Sequence, residues 1–293
     1  MSMLREILKI GSFAVTAEFA PPKGTNMDHM RVCVRLVKGR IHAANVTDFQ
    51  SAVMRISSLT ACKVVMDEGV EPVIQITGRD RNRIAIQGEL LSAGVLGIKN
   101  LLAVTGDHPR MGDHPNAKPV YDLDSVGILQ ATTTFMNGKD LEGNDLNGRI
   151  EFFPGGAVSP ARETMMPQIM KMRKKIAAGA KFFQTQAVFD LDLFREFRKL
   201  TSGLGAPVLA GVVLLKSGNM ARFMNRNIPG VSIPDDVIAR LDRFTGKEQM
   251  NEGIRLAGEL IRGIRSDNLA DGVHIMAVGA EERIGQILDE AKL

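Results

Sequence analysis

Short apolar runs alternate with helical segments along the chain, and this alternation constrains the fold more than any other feature. Runs rich in Val, Ile and Phe that break into Gly, Pro or Asp are typical of buried parallel strands, whereas the segments between them repeat with a period of about 3.6 residues. Eight strand–helix units in 293 residues predict an α/β fold, a closed (β/α)8 or TIM barrel that forms one domain over residues 1–293. The predicted strands are 13–19, 41–47, 72–77, 100–105, 149–153, 182–188, 207–214 and 272–278.

Two segments lie outside the simple repeat. Residues 1–11 carry Leu4, Ile7 and Leu8 at helical spacing and are expected to form an N-terminal helical extension. The seventh connection, 218–268, is the longest, and we expect two helices in it, separated by the Ile-Pro pairs of 227–234. An open doubly wound sheet is the alternative to the barrel, but the sequence lacks the Gly-rich fingerprint that would favour it.

Composition excludes several classes of protein. The 37 basic and 33 acidic residues are interspersed and aromatic residues make up 5% of the chain, so no nucleic-acid partner is expected. The apolar runs are too short to cross a membrane, and residues 1–11 do not form a signal peptide, so we expect a cytoplasmic protein with no membrane partner. Cys33 and Cys62 alone cannot hold an iron–sulfur cluster, which needs about four thiolates. Electron transfer would therefore require an organic cofactor.

The ends of the predicted strands supply two candidate catalytic carboxylates, because active sites of barrels form at the C-terminal ends of their strands. Glu18 ends the first strand in an apolar setting that suits a general acid, and an ion pair with a Lys or Arg of a neighbouring strand is an equally weighted alternative. Asp107 follows strand four and Gly106. A role as a helix N-cap is the alternative for Asp107, but no helix is predicted before about Leu123.

Other strand ends carry polar groups that suit the edge of a flavin or pterin ring. These are Thr47, Gln75, Thr77, Gln184 and Gln186. Gly155 and Gly156, after predicted strand five, could present backbone N–H groups to a phosphate, and Lys174 and Lys175 could add positive charge. Glu151 is a second candidate carboxylate and ranks below Glu18. Gly-Asp-His-Pro occurs at both 106–109 and 112–115; a loop rich in turn formers is favoured there over a metal site, so no metal is predicted.

Several motifs, in order and spacing over nearly the whole chain, resemble those of the methylenetetrahydrofolate reductase family. They lie at residues 17–22, 45–47, 106–109, 178–180, 185–186, 189–190 and 229–234. The resemblance implies a noncovalent FAD, with FMN as the alternative, and the reduction of 5,10-methylenetetrahydrofolate to 5-methyltetrahydrofolate in one-carbon metabolism. Two other functions stay open: a pterin-binding barrel that transfers the methyl group to a corrinoid, and a noncatalytic folate- or flavin-binding subunit.

The resemblance also implies roles for individual residues. Glu18 would protonate the folate amine and open its five-membered ring, Asp107 would hold the pterin and tune the flavin, and Gln186, together with Gln184, would bind the folate. The remaining residues at expected cofactor-contact positions are Thr47, Gln75, Thr77, Thr105, Gly106, Asp107, Tyr121, Phe153, Gly155, Lys174 and Lys175.

Departures from the family pattern bear on the flavin environment, at Gln75 and Thr105, and on the electron donor, near Ser217. Gln75 stands where many relatives have His, and Thr105 stands where they have Arg. No aromatic residue lies near Ser217, where NADH-using bacterial relatives stack one on the nicotinamide cofactor. Relatives from anaerobes that make or consume acetate work with a partner subunit. We therefore expect an oligomer or hetero-complex in which a partner subunit donates electrons in place of NAD(P)H.

Overall fold

Eight parallel strands close into a barrel in the computed structural model, which describes residues 2–228 and 230–293. The strands run in chain order around the barrel, and β1 pairs with β8 to close it. They are β1 Ala14–Phe19, β2 Ala43–Val46, β3 Pro72–Thr77, β4 Asn100–Val104, β5 Phe153–Val158, β6 Phe182–Ala187, β7 Val208–Val213 and β8 Gly272–Met276. The predicted (β/α)8 barrel is confirmed.

Helices surround the barrel and cover its apolar outer face. They are α1 Met3–Lys9, α2 Asp28–Leu36, α3 Ser58–Asp67, α4 Arg83–Val95, α5 Ser125–Met136, α6 Met165–Ala177, α7 Leu191–Thr201, α8 Gly218–Asn227, α9 Asp235–Asp242, α10 Gly246–Ser266 and α11 Ile284–Ala291. Single 3-10 turns occur at Gln50–Ala52, Pro109–Met111, Arg162–Thr164, Ser202–Leu204 and Glu281–Arg283. No helix in the described part of the chain is long and apolar enough to cross a membrane.

The seventh connection holds three helices rather than the predicted two. α8 ends before the Ile-Pro segment, and Pro234 caps the start of α9. A further break at 243–245 separates α9 from α10, which the sequence pattern did not indicate. Pro229 of the family-like motif at 229–234 lies outside the described residues.

The N-terminal end of the barrel is filled by side chains and covered by α1, which lies within the segment 1–11 that was expected to be helical. Leu4 and Leu8 of α1 are buried against the residues that fill the bottom of the barrel. Phe153 and Phe182 stack there with ring centroids 5.0 Å apart. This end of the barrel is therefore sealed by apolar packing, and the opposite end is left for ligands.

Strand five begins where the sequence pattern predicted that it would end. The prediction of 149–153 is wrong, since the strand is Phe153–Val158 and residues 149–152 precede it. Two glycines lie within the strand because neighbouring side chains occupy the space that their side chains would need. A Cβ at Gly155 would lie 2.4 Å from Cζ of Phe182, and one at Gly156 would lie 3.0 Å from Cδ of Lys175.

Candidate active site

A cavity of about 920 Å³ opens at the C-terminal ends of the strands. Parallel strands bring their carboxyl ends to one face of a barrel, so residues far apart in the chain meet there. Nine predicted site residues line the cavity: Glu18, Gln75, Thr77, Thr105, Gly106, Asp107, Lys175, Gln184 and Gln186. The cavity thus brings together both candidate carboxylates and most of the polar residues expected at the strand ends.

Glu18 lies in this cavity with only 11% of its side chain exposed. Its Oε1 accepts a hydrogen bond of 2.8 Å from Nε2 of Gln50, and its Oε2 lies 3.6 Å from Nε2 of His274. Among the described residues no lysine or arginine forms an ion pair with Glu18, so the alternative drawn from the sequence, a Lys or Arg partner, is wrong. The carboxyl group is instead placed between an amide and an imidazole.

His274 connects Glu18 to a second residue of β1. The imidazole is buried, and its Nδ1 lies 3.0 Å from Oγ1 of Thr16. The Thr16 hydroxyl also accepts from Nε2 of Gln184 at 3.3 Å and donates to the carbonyl oxygen of Val273 at 3.4 Å. His274 thereby joins Glu18 to the hydrogen-bonded group formed by Thr16 and Gln184. Sequence reasoning missed His274 because a single histidine in an apolar strand is usually a core residue.

Buried amides form the floor of the cavity. Asn45 and Gln184 exchange hydrogen bonds of 2.7 and 3.0 Å, and the second amide proton of Gln184 goes to Thr16. The donors of Gln184 are therefore engaged within the protein. Gln186, two residues further along β6, is exposed in the same cavity and is the better placed of the two to meet a ligand.

Buried charged residues tie together the loops that follow β2, β3 and β4. Asp48 accepts from the backbone N–H and the hydroxyl of Thr77, each at 2.9 Å, and from Arg81 at 2.6 and 3.1 Å. Arg79, with 2% exposure, donates to the carbonyl oxygens of Asp107 and Phe49 at 3.2 Å each. Neither arginine was predicted as a site residue, although both lie in the loop that follows β3. They hold the rim of the cavity in shape.

Asp107 is exposed at the rim, directly after Gly106, whose φ of 91° is readily adopted only by glycine. The helix N-cap alternative does not apply to Asp107, because a 3-10 turn begins at Pro109 and its cap is His108. The first α-helix after β4 is α5, which begins at Ser125, close to the expected position near Leu123. Asp107 therefore keeps its carboxylate available to a ligand in the cavity.

Five other expected cofactor contacts do not line the cavity. Phe153 and Gly155 lie toward the sealed end because strand five is shifted along the chain. Lys174 is exposed to solvent on the outer side of α6. The hydroxyl of Tyr121 donates to the carbonyl oxygen of Gly106 at 3.3 Å and so helps to hold the loop after β4. Thr47 is buried beside Asp48, which lines the cavity, and its hydroxyl has no hydrogen-bond partner among the residues that the structure describes.

The second Gly-Asp-His-Pro copy forms part of a surface loop. Asp113 pairs with Lys23, contacts His114 at 2.8 Å and accepts from the backbone of Met54 at 3.0 Å. These contacts lower the pKa of the Asp113 carboxyl, chiefly through the hydrogen bond from Lys23. Glu151, the lower-ranked carboxylate, is exposed and pairs with Arg5 at 2.6 Å. Both groups are outside the cavity.

Comparison with known proteins agrees with this geometry. A family model for methylenetetrahydrofolate reductase matches residues 3–292. The chain belongs to the methylenetetrahydrofolate reductase family. All the cavity residues described above lie within the matched range.

Relatives within the methylenetetrahydrofolate reductase family are distant. The 5,10-methylenetetrahydrofolate reductase of Pectobacterium carotovorum subsp. carotovorum is 23% identical over 269 residues, which is 89% of this chain and 84% of that protein. Methylenetetrahydrofolate reductase 2 of Saccharomyces cerevisiae is 24% identical over 230 residues, and the match covers 77% of this chain. That match covers only 37% of the yeast protein, so the chain spans little more than a third of its length.

A solved structure from Clostridium thermocellum has the same fold. That protein is described as uncharacterized and as binding two copies of 5-methyl-5,6,7,8-tetrahydrofolic acid. It superimposes with a TM-score of 0.65 at 19% identity, and the match covers 99% of this chain and 98% of that chain. At this level of identity the likeness supports the fold.

The reductase-family chain has residues that fit a flavin at this site. Gln75 and Thr105 present polar side chains to the cavity, where a ligand ring could bind them. Lys175 lines the cavity with 5% exposure, and its Nζ donates to the carbonyl of Ala157 at 2.6 Å. Burial lowers the pKa of this amine to about 8, and the nearby charge of Lys171 adds to the effect. An amine that is desolvated and has no carboxylate partner is well suited to meet an anionic group such as a phosphate.

α8 contributes an aromatic residue to the mouth of the cavity. The sequence has no aromatic residue near Ser217, but Phe223 lies further along the helix that Ser217 caps. Its side chain is 60% exposed and lines the mouth together with Met220. Phe223 thus places an aromatic ring at the entrance of the cavity, although no aromatic residue is close to Ser217 in the sequence.

Proposed function

We propose that this chain is a flavin-dependent reductase that converts 5,10-methylenetetrahydrofolate to 5-methyltetrahydrofolate. The observation that carries the proposal is the setting of Glu18, a largely buried acid in the main cavity whose neighbours are Gln50 and His274 rather than a cation. Family membership supplies the context, and the folate ligand of the Clostridium thermocellum protein supports a folate substrate.

The cofactor of this proposal is FAD, with FMN as the alternative. Gln75 and Thr105 would meet the edge of the ring system, and Lys175 would meet a phosphate with help from Lys171 at the rim. When bound, the flavin supplies the hydride that reduces the one-carbon unit. Release of the cofactor from purified protein and its chromatographic identification distinguish FAD from FMN.

Glu18 has one chemical task in the proposed mechanism. Opening the five-membered ring breaks a C–N bond, and the electron pair of that bond goes to the nitrogen, which takes a proton from the Glu18 carboxyl. The other ring nitrogen and the bridge carbon become an iminium. The carboxylate left on Glu18 then accepts from Gln50, and Nε2 of His274 lies 3.6 Å from its other oxygen. A hydride added to the iminium carbon completes the methyl group.

Positioning of the folate is the task of residues on opposite sides of the cavity. Asp107 at the rim would hold donor groups of the pterin, and Gln186 would hydrogen-bond the same substrate from β6. Gln184 would act from the floor through its contacts with Asn45 and Thr16. Such positioning matters because hydride transfer depends mainly on alignment of the reacting atoms.

Replacing the acid tests the mechanism. Glu18→Gln keeps the shape of the side chain and removes its exchangeable proton, so the reduction of methylenetetrahydrofolate by the pre-reduced enzyme should slow by about 100-fold or more. Flavin content and reduction of the flavin by dithionite should be unchanged, which serves as the control for folding. Turnover near the parent rate would show that another group supplies the proton.

A partner subunit is proposed as the electron donor. The sequence has no aromatic residue near Ser217, where NADH-using relatives have one, and Phe223 lies further along α8. The isolated chain, mixed with NADH without oxygen, should therefore keep its flavin absorbance over the time of a turnover. Rapid bleaching would contradict the partner proposal and leave the role of Glu18 untouched.

A further inference from the structure

Three side chains of metal-binding type meet outside the cavity, where α2 packs against the turn Glu281–Arg283. His29 and Cys33 are four residues apart and so lie on one face of α2, and Glu282 reaches them from the turn. One ligand atom from each of the three side chains lies within 4.8 Å of the other two. The cluster joins the segment that follows β8 to the helix that follows β1.

The spacing of the two α2 ligands matches a metal site. Sγ of Cys33 lies 3.6 Å from Nε2 of His29. In a tetrahedral zinc site, with bonds of about 2.3 Å to sulfur and about 2.0 Å to nitrogen, these atoms would lie about 3.5 Å apart. A weak hydrogen bond between thiol and imidazole gives a similar distance. Glu282 favours a metal site over this hydrogen bond. Its carboxylate could bind a cation, but it takes no part in a hydrogen bond between Cys33 and His29.

A negatively charged turn faces Cys33. Cys33 is 1% exposed, and the carboxylates of Glu281 and Glu282 lie near its thiol. Arg283 offsets part of this negative field, with its Nε 3.6 Å from Glu282, while Glu281 accepts from the backbone of Gly279. A divalent cation would counter this negative charge, because it stabilises the Cys33 thiolate and is attracted by both carboxylates.

We propose that His29, Cys33 and Glu282 bind one thiophilic divalent cation of the zinc class. Sulfur and imidazole ligands select zinc-like ions over magnesium or calcium, which prefer oxygen. Three protein ligands leave a fourth position for water. Binding releases the thiol proton of Cys33 to solvent and links the turn after β8 to α2, behind the strands that carry His274 and Glu18.

Cobalt substitution tests the site directly. Co²⁺ is titrated into the purified, chelator-treated full-length protein, and the spectrum before addition is subtracted so that bound flavin does not interfere. One equivalent should produce a thiolate-to-cobalt charge-transfer band, and Zn²⁺ should abolish it by competition. Cys33→Ser should remove the band. His29→Gln and Glu282→Gln should each weaken binding by about 10-fold or more, since even groups that only orient a ligand contribute that much.

Cys62→Ser is the matched control, since Cys62 is the other thiol and is buried in α3 away from the cluster. This variant should keep the band and the affinity. No band with the parent protein, a band that survives in Cys33→Ser, or affinities unchanged in both His29→Gln and Glu282→Gln would each overturn the proposal. Thermal unfolding of each variant shows whether it is folded. Because no folate is present, the result is independent of the proposed reductase activity.

Discussion

The partners of Glu18 determine what this residue can do. A carboxylate beside an arginine is held in its charged form, whereas the Gln50 amide can hydrogen-bond to either form and the His274 imidazole can donate or accept. An acid that must give up a proton and regain it in each cycle needs neighbours that tolerate both states. The side chains around Glu18 meet that requirement.

Lys175 gives the cofactor site a predictable dependence on pH. Its folded-state pKa of about 8 lies below the value of about 10.4 expected in the unfolded chain. Between these values the unfolded chain binds more protons, so the contribution of this group to stability rises with pH in that window and is unfavourable below about 8. A bound phosphate needs the charged amine, so flavin affinity should fall as pH rises from 7 to 9.

Flavin titrations at pH 7 and 9 check this expectation. Lys175→Met should bind flavin weakly and with little pH dependence. Lys174→Met changes the exposed neighbour on the same helix and should behave like the parent protein. A parent affinity that is constant from pH 7 to 9 would mean that Lys175 does not contact the phosphate.

Only some of the site residues could be predicted from the sequence. Glu18, Asp107 and Gln186 follow from one rule, that polar residues at the C-terminal ends of buried strands face the barrel mouth. Arg79 could not be recognised, because a Gly-Arg-Asp-Arg run looks like an exposed turn until the structure shows the guanidinium buried against two loops. The partnership of His274 with Glu18 depends on β8 closing against β1, a contact between the two ends of the chain.

At the scale of elements, the loop after β2 is held in an unusual conformation. Phe49, Ser51 and Ala52 have φ values of 49°, 55° and 58°, a region that costs a non-glycine residue about 1–2 kcal/mol. Arg79 fixes the carbonyl of Phe49, and the 3-10 turn Pro109–Met111 packs against the loop. The result is that Gln50 is presented to Glu18.

Gly112 allows that packing and can be used to test it. A Cβ at Gly112 would lie 1.8 Å from the carbonyl oxygen of Ala52. Gly112→Ala should therefore displace the loop, lower the free energy of unfolding by about 1–3 kcal/mol and slow folate reduction through the loss of the Gln50 contact. Gly203→Ala is the control, because a Cβ there meets nothing within 4 Å. Urea unfolding and turnover assays on both variants test this prediction. Equal stability of the two variants would show that a Cβ at Gly112 does not clash with Ala52.

Strand five shows where pattern reasoning fails for an element. Glycine weakens a strand, so the Gly155-Gly156 pair predicts a turn and the preceding apolar residues predict the strand. The structure compensates with rings from β6 and the stem of Lys175, which fill the space beside the glycines. Those contacts join different units of the barrel, and no local pattern reveals them. The two expected cofactor contacts in this segment, Phe153 and Gly155, were misplaced for the same reason.

At the scale of the whole molecule, α1 seals the barrel. Leu4 is fully buried beneath the strands, so Leu4→Ala should lower the free energy of unfolding by about 2–5 kcal/mol. Below the unfolding transition its activity should be normal, because the cavity lies at the other end. Ile10→Ala, at a residue 69% exposed, should leave stability within about 0.5 kcal/mol of the parent. If the two variants unfold at the same urea concentration, α1 does not contribute as described.

A barrel sealed at one end also restricts the order of events at the other. On the proposed function, the electron donor and the folate both approach the flavin through the same mouth, because apolar packing closes the opposite end of the barrel. The donor must then leave before the folate enters. Steady-state kinetics would follow a substituted-enzyme scheme, with parallel lines in double-reciprocal plots and the reduced protein as a species stable enough to isolate between the two half-reactions.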